Sequence, residues 1–214
     1  MPLLTNQQSR LLGGGRVPWY RADGAPMPVA AYQPKGAASL AASYINLANP
    51  GTYNAAPGTA PGWSAANGWA FTTTQWLTTG IVAQNGWSLL LLCTATGSGS
   101  GGAGRALADG DNIFFGVVPW VGTNCWIYNG TLLLIPQSVG ATPTVLGFAG
   151  KGAYINGVSV GTIGAGNVSA APLLIGNNAS VNRGMAGTIR AVAIYNAVLT
   201  PAQVAAVSSA MSQL

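Results

Sequence analysis

Glutamate and histidine are missing from this chain, and aspartate occurs only as Asp23, Asp109 and Asp111. These absences exclude a good deal of chemistry. Without histidine there is no Ser-His or Cys-His nucleophile pair. Two cysteines, Cys93 and Cys125, cannot by themselves provide the four ligands of a structural zinc site. A glycosidase needs two carboxylates across the scissile bond. Asp109 and Asp111 are the only acids close together, and they lie in Ala-Asp-Gly-Asp-Asn, where aspartates commonly form turns by bonding their own backbone. No enzymatic activity is therefore expected.

Charge of either sign is scarce. Charged residues make up 5% of the chain, against roughly a quarter of an ordinary soluble domain. Such a surface is either covered by small polar residues and glycine or buried against neighbours. The net charge of +5 comes from eight scattered Lys and Arg. Without a basic stripe to neutralise several phosphates, no nucleic-acid partner is expected. The apolar run Trp87 to Ala95 is too short to span a bilayer, so it reads as a core strand and no membrane partner is expected. Met1-Pro-Leu-Leu leads directly into polar residues, without the basic-then-apolar order of an export segment. Cys93 and Cys125 fit either one disulfide or two small buried hydrophobes. Sequons occur at Asn129, Asn167 and Asn178, as expected by chance in a chain rich in Asn, Ser and Thr.

Glycine (31) and proline (13) are plentiful, as many short strands joined by tight turns require. Periodicity and turn signals predict about eleven or twelve strands at near-even spacing, the pattern of a sandwich. Asn85-Gly86, Asn129-Gly130 and Asn156-Gly157 read as hairpin turns. Residues 49–68 read as a long loop, and Gly97 to Gly104 as an exposed glycine-serine loop. Thr188 to Tyr195 is too uniformly apolar for either face to be freely solvated. A terminal helix is well marked: Thr200 as cap, Pro201 at the first position and Gln203 at the third. Leu199 and Val204 have staple spacing, and Val204, Val207, Met211 and Leu214 form one stripe.

The last third carries a family pattern. Tyr154, Gly157 and Gly161 are followed by Leu173, Ile175 and Gly176, then by Gly187, Ile189, Val192, Ile194, Tyr195, Asn196, Leu199 and Thr200. This order resembles the C-terminal end of laminin-G-like, concanavalin A-like jelly-roll domains. The resemblance implies an all-β sandwich of two antiparallel sheets with a short C-terminal helix. Family members place acidic residues after the Ile of the Gly-x-Ile step, where this chain has Arg190-Ala191, so no role of those acids carries over. The phrase Asn-Leu-Ala-Asn-Pro-Gly-Thr-Tyr-Asn-Ala, with Trp63, Gly68, Trp69 and Phe71 after it, looks like the opening of the same domain in bacteriophage and environmental viral sequences.

Two functions follow as expectations. The first is a bacteriophage virion structural protein, a capsid decoration or appendage subunit located in the virion. It would contact other virion proteins, such as a major capsid protein or a tail protein, and act as a homo-oligomer. Residues 1–30 form an N-terminal arm whose Leu11, Leu12, Trp19 and Tyr20 want burial on the 31–214 domain or on a neighbour. The alternative is a carbohydrate-binding module, since the family commonly stacks glycans on aromatic faces. Trp63, Trp76 and Trp120 are the candidates for that role, whereas Trp69, Trp87 and Trp126 read as core. A shared groove for the first three would favour glycans, and dispersal would favour assembly. No cofactor is expected. Asp109, Asp111 and Asn112 form a weak candidate calcium site of the kind the family holds at its rim.

Overall fold

A computed structural model describes residues 17–98, 104–109, 115–137, 139–168, 170–178 and 182–214. Its strands are β1 (Ala30–Tyr32), β2 (Ala56–Thr59), β3 (Gly62–Ser64), β4 (Gly68–Thr72), β5 (Trp76–Val82), β6 (Ser88–Ser98), β7 (Leu107–Asp109) and β8 (Phe115–Val121). They continue as β9 (Asn124–Asn129), β10 (Leu132–Ile135), β11 (Thr144–Ala149), β12 (Gly152–Ile155), β13 (Val158–Thr162), β14 (Pro172–Ile175) and β15 (Met185–Tyr195). Helices are few: a 3₁₀ turn over Trp19–Gly24, α1 (Leu40–Ser43) and α2 (Pro201–Ser212).

The strands form two antiparallel sheets. One runs β13-β12-β11-β6-β15-β4-β3, with β1 also paired to β15, and the other runs β10-β9-β8-β7-β14-β5-β2. The middle of the first sheet is buried on both faces, which explains why its central strands lack polar alternation. In β6, Leu89, Leu91 and Cys93 enter the core between the sheets, while Leu90 and Leu92 face the other way, into a cluster with α2. In β15 the register slips between Ile189 and Ala191, so an extra residue changes the phase. Ile189, Val192 and Ile194 then point inward, and Ala191, Ala193 and Tyr195 lie under the helix.

Helix α2 covers that outer face as its sequence requires. Thr200 Oγ1 accepts from the Gln203 amide at 3.2 Å, and Gln203 Oε1 accepts from the Thr200 amide at 3.0 Å, a complete capping box. Leu199, Val204, Val207 and Met211 are buried and Leu214 packs beside them. The turn at Asn156-Gly157 has positive φ at both residues, 50° and 81°, as a two-residue hairpin turn demands.

Other expectations needed correction. Residues 49–68 contain β2 and β3. Proline and glycine hide both strands in the sequence, yet each is the last strand of its sheet, where a missing amide is tolerated. Asn85-Gly86 is a turn, but it joins β5 of one sheet to β6 of the other and forms no hairpin. Gly97 and Ser98 belong to β6, paired with Ala186 and Met185, and Gly104 is buried opposite Trp120. Residues 99–103 lie outside the described residues. Cys93 and Cys125 are both free thiols in the core between the sheets. Two of the sequon asparagines, Asn129 and Asn178, are buried, whereas Asn167 is exposed.

Candidate functional site

The three tryptophans proposed for a glycan surface do not come together. Trp63 lies on β3, at the end of the first sheet; its Nε1 donates to the Pro34 carbonyl at 2.8 Å and its ring packs on the core. Trp76, on β5, lies over Gly58, where any Cβ would fall inside the indole. Trp120, on β8, rests against the core beside Gly104. No ring contact joins any two of them among the described residues. All three are half-buried.

The tryptophans read as core divide too. Trp69 is fully buried and donates from Nε1 to the Ser43 hydroxyl at 2.7 Å. Trp87 is half-buried against the core. Trp126 is on the outer face of the second sheet, with Val118 and Ala108, its ring 6.2 Å from that of Tyr128. Strand alternation is the reason: Cys125 and Ile127 take the inner positions.

Asp109 is buried and its Oδ1 accepts from the Phe115 amide at 2.8 Å, so this carboxylate ties the end of β7 to the start of β8. Asp111 and Asn112, the rest of the candidate calcium set, lie outside the described residues. Among the described residues no group of three or more His, Cys, Asp or Glu gathers. No helix of the described residues is long and apolar enough to cross a membrane.

Leu11 and Leu12 of the arm also lie outside the described residues. Trp19 and Tyr20 pack on their own domain. Tyr20 is buried against α2 and β15, and its carbonyl accepts from the Tyr195 hydroxyl at 2.7 Å. Trp19 is half-buried and donates from Nε1 to Gln33 Oε1 at 2.9 Å. This packing leaves a cleft of about 600 Å³ between the 3₁₀ turn and the C-terminal end of α2. Trp19, Arg21, Asp23, Gln33, Gln213 and Leu214 line it. No local motif announces this cleft, because its walls lie at opposite ends of the chain.

Residues 149–205 match the family described as the concanavalin A-like lectin/glucanases superfamily. Two antiparallel sheets with a helix after the last strand give the chain the architecture that this match implies. The fold is concanavalin A-like. Among curated proteins none matches the chain significantly. Solved structures with this architecture include Trypanosoma rangeli sialidase in complex with the inhibitor DANA, at 14% identity and TM-score 0.62, covering 94% of this chain and 36% of that one. Domain 4 of AbnA, a GH43 extracellular arabinanase from Geobacillus stearothermophilus solved with arabinotriose, aligns at 18% identity and TM-score 0.54, covering 85% and 98%. The binding domain of botulinum neurotoxin serotype D aligns at 10% identity and TM-score 0.55, covering 86% and 50%. The chain spans about a third of the sialidase. At these identities the likeness concerns the concanavalin A-like fold alone.

Proposed function

We propose that the protein is a non-enzymatic structural subunit of a bacteriophage particle, a capsid decoration or appendage protein that works through contacts with copies of itself and other virion proteins. One observation carries this reading. Strands β10 and β13 end the two sheets and touch each other there, Leu133 lying over Gly161. On this side Leu132, Leu134, Val158 and Val160 are 45%, 50%, 67% and 39% exposed. Neither strand contains a charge or a proline. Proteins that stay apart usually guard terminal strands with lysine, proline or a covering loop. An uncharged apolar edge suits permanent contact, since obligate interfaces are apolar and poor in Lys, Glu and Asp. The low charge of the whole chain and the dispersal of Trp63, Trp76 and Trp120 support this reading, as does the resemblance of its opening phrases to viral sequences. Light scattering on the full chain tests it: oligomers are expected, and Leu134→Lys with Val158→Lys should dissociate them. A monomer at high concentration, indifferent to these changes, would contradict it.

A second reading, glycan binding, is favoured by a separate observation. The arabinanase domain solved with arabinotriose matches this chain along almost its whole length. A particle subunit that touches a host glycan would satisfy both readings.

A further inference from the structure

We infer that the cleft between the 3₁₀ turn and the end of α2 binds a short neutral oligosaccharide. This deepens the glycan reading and rests on it, at a place none of the three candidate tryptophans occupies. The cavity of about 600 Å³ falls within the roughly 300–1,000 Å³ of small-molecule sites.

Its lining has the chemistry of a sugar. A sugar ring has an apolar C–H face and a rim of hydroxyls, each both donor and acceptor. Trp19 supplies an aromatic surface for the face. Around it, Arg21 only donates, Asp23 only accepts, and Gln33 and Gln213 do both. The opposite charges of Arg21 and Asp23 offset one another within the lining. Both side chains are exposed, and neither is held in an ion pair or side-chain hydrogen bond among the described residues. Hydroxyls can therefore reach them without displacing a protein partner.

The walls are also fixed in advance. Gln33 holds the Trp19 indole through Oε1 and donates from Nε2 to the Lys35 carbonyl at 3.2 Å. The Lys35 ammonium donates to the Leu214 carbonyl, tying the same segment to the end of the helix. Gln203 Nε2 donates to the Gly24 carbonyl at 3.3 Å and Tyr195 to that of Tyr20, so the turn is fastened to both helix and sheet. A site whose walls are already ordered loses less entropy when a ligand arrives.

The test titrates arabinotriose and cellotriose into the full chain, followed by calorimetry and tryptophan fluorescence. Saturable binding of at least one is expected. Gln213→Ala and Arg21→Ala, both at exposed side chains, should each weaken it about threefold to tenfold at unchanged melting temperature. Trp19→Ala should abolish it, with Trp19→Phe recovering part. If neither trisaccharide binds, this site and the glycan reading both fall. If one binds with affinity indifferent to all these substitutions, the site is wrong while the glycan reading stands.

Discussion

Replacing Asn46 by alanine should unfasten the segment that connects β1 to β2. Asn46 is fully buried. Its Oδ1 accepts from the Ala31 amide at 2.9 Å and from the Ala48 amide at 3.0 Å, and its Nδ2 donates to the Val29 and Thr52 carbonyls, each at 2.9 Å. One side chain thus fills every hydrogen-bonding position an amide has, on four backbone groups. Alanine leaves two donors and two acceptors without it. A buried polar group stripped of its partner costs about 1–3 kcal/mol, and groups that water can partly reach cost less. Only the bond to Ala31 is wholly buried, so the expected loss is about 3–5 kcal/mol. For a chain of this size each kcal/mol lowers the melting temperature by about 2–4 °C, giving a fall of roughly 10 °C. Calorimetry on Asn46→Ala and Asn46→Asp provides the assay. The aspartate keeps both acceptor bonds but loses both donations and buries a charge, so it should be no better than alanine. A loss below about 1 kcal/mol for alanine would refute this accounting.

Further expectations concern the helix start, the core thiols and the absence of hydrolysis. Thr200→Ala removes half of the capping box of α2 and should cost about 1 kcal/mol in denaturant unfolding. Burial pushes the Cys93 thiol up to about 12, with Cys125 nearby adding to it, and the Cys125 thiol up to about 11, from an ordinary 9.0. Burial also raises the Tyr32 and Tyr195 hydroxyls. Between pH 9 and about 11 the folded chain therefore holds protons that the unfolded chain releases, and stability falls as pH rises, by at most about 1.4 kcal/mol per pH unit for each thiol. Stability that stays flat from pH 8 to 10.5 would contradict this, as would rapid labelling of Cys93 by a thiol reagent in the native state. With no Glu and no His, the protein should release no reducing sugar from polysaccharides. Chelators should leave its melting temperature unchanged.

What could be read from the residues was local chemistry. The Asn156-Gly157 turn and the start of α2 depend on neighbours within four residues, and both are where the sequence puts them. Uniform apolarity in β15 correctly implied two covered faces, since the core lies on one side and α2 on the other. Non-local choices were not legible. Asn85-Gly86 offers the same turn chemistry whether the chain folds back on itself or crosses to the opposite sheet; only the partners of β5 and β6 decide. Strands β2 and β3 are disguised by Pro57, Gly58 and Gly62, which terminal strands accept. Trp126 faces outward because alternation assigns Cys125 and Ile127 to the core, a phase its composition does not reveal. The cleft joins Trp19 to Gln213 across nearly the whole chain, so no window of sequence contains it.

The central claim is that this concanavalin A-like domain is built into a virus particle. Its most direct test is quantitative mass spectrometry of density-banded, nuclease-treated particles from lysed cells producing the chain. The account predicts that the protein bands with the particles, in a fixed ratio to the major capsid protein, and that Leu134→Lys with Val158→Lys removes it from them. A protein found wholly in the soluble fraction, with particles complete without it, would contradict the account.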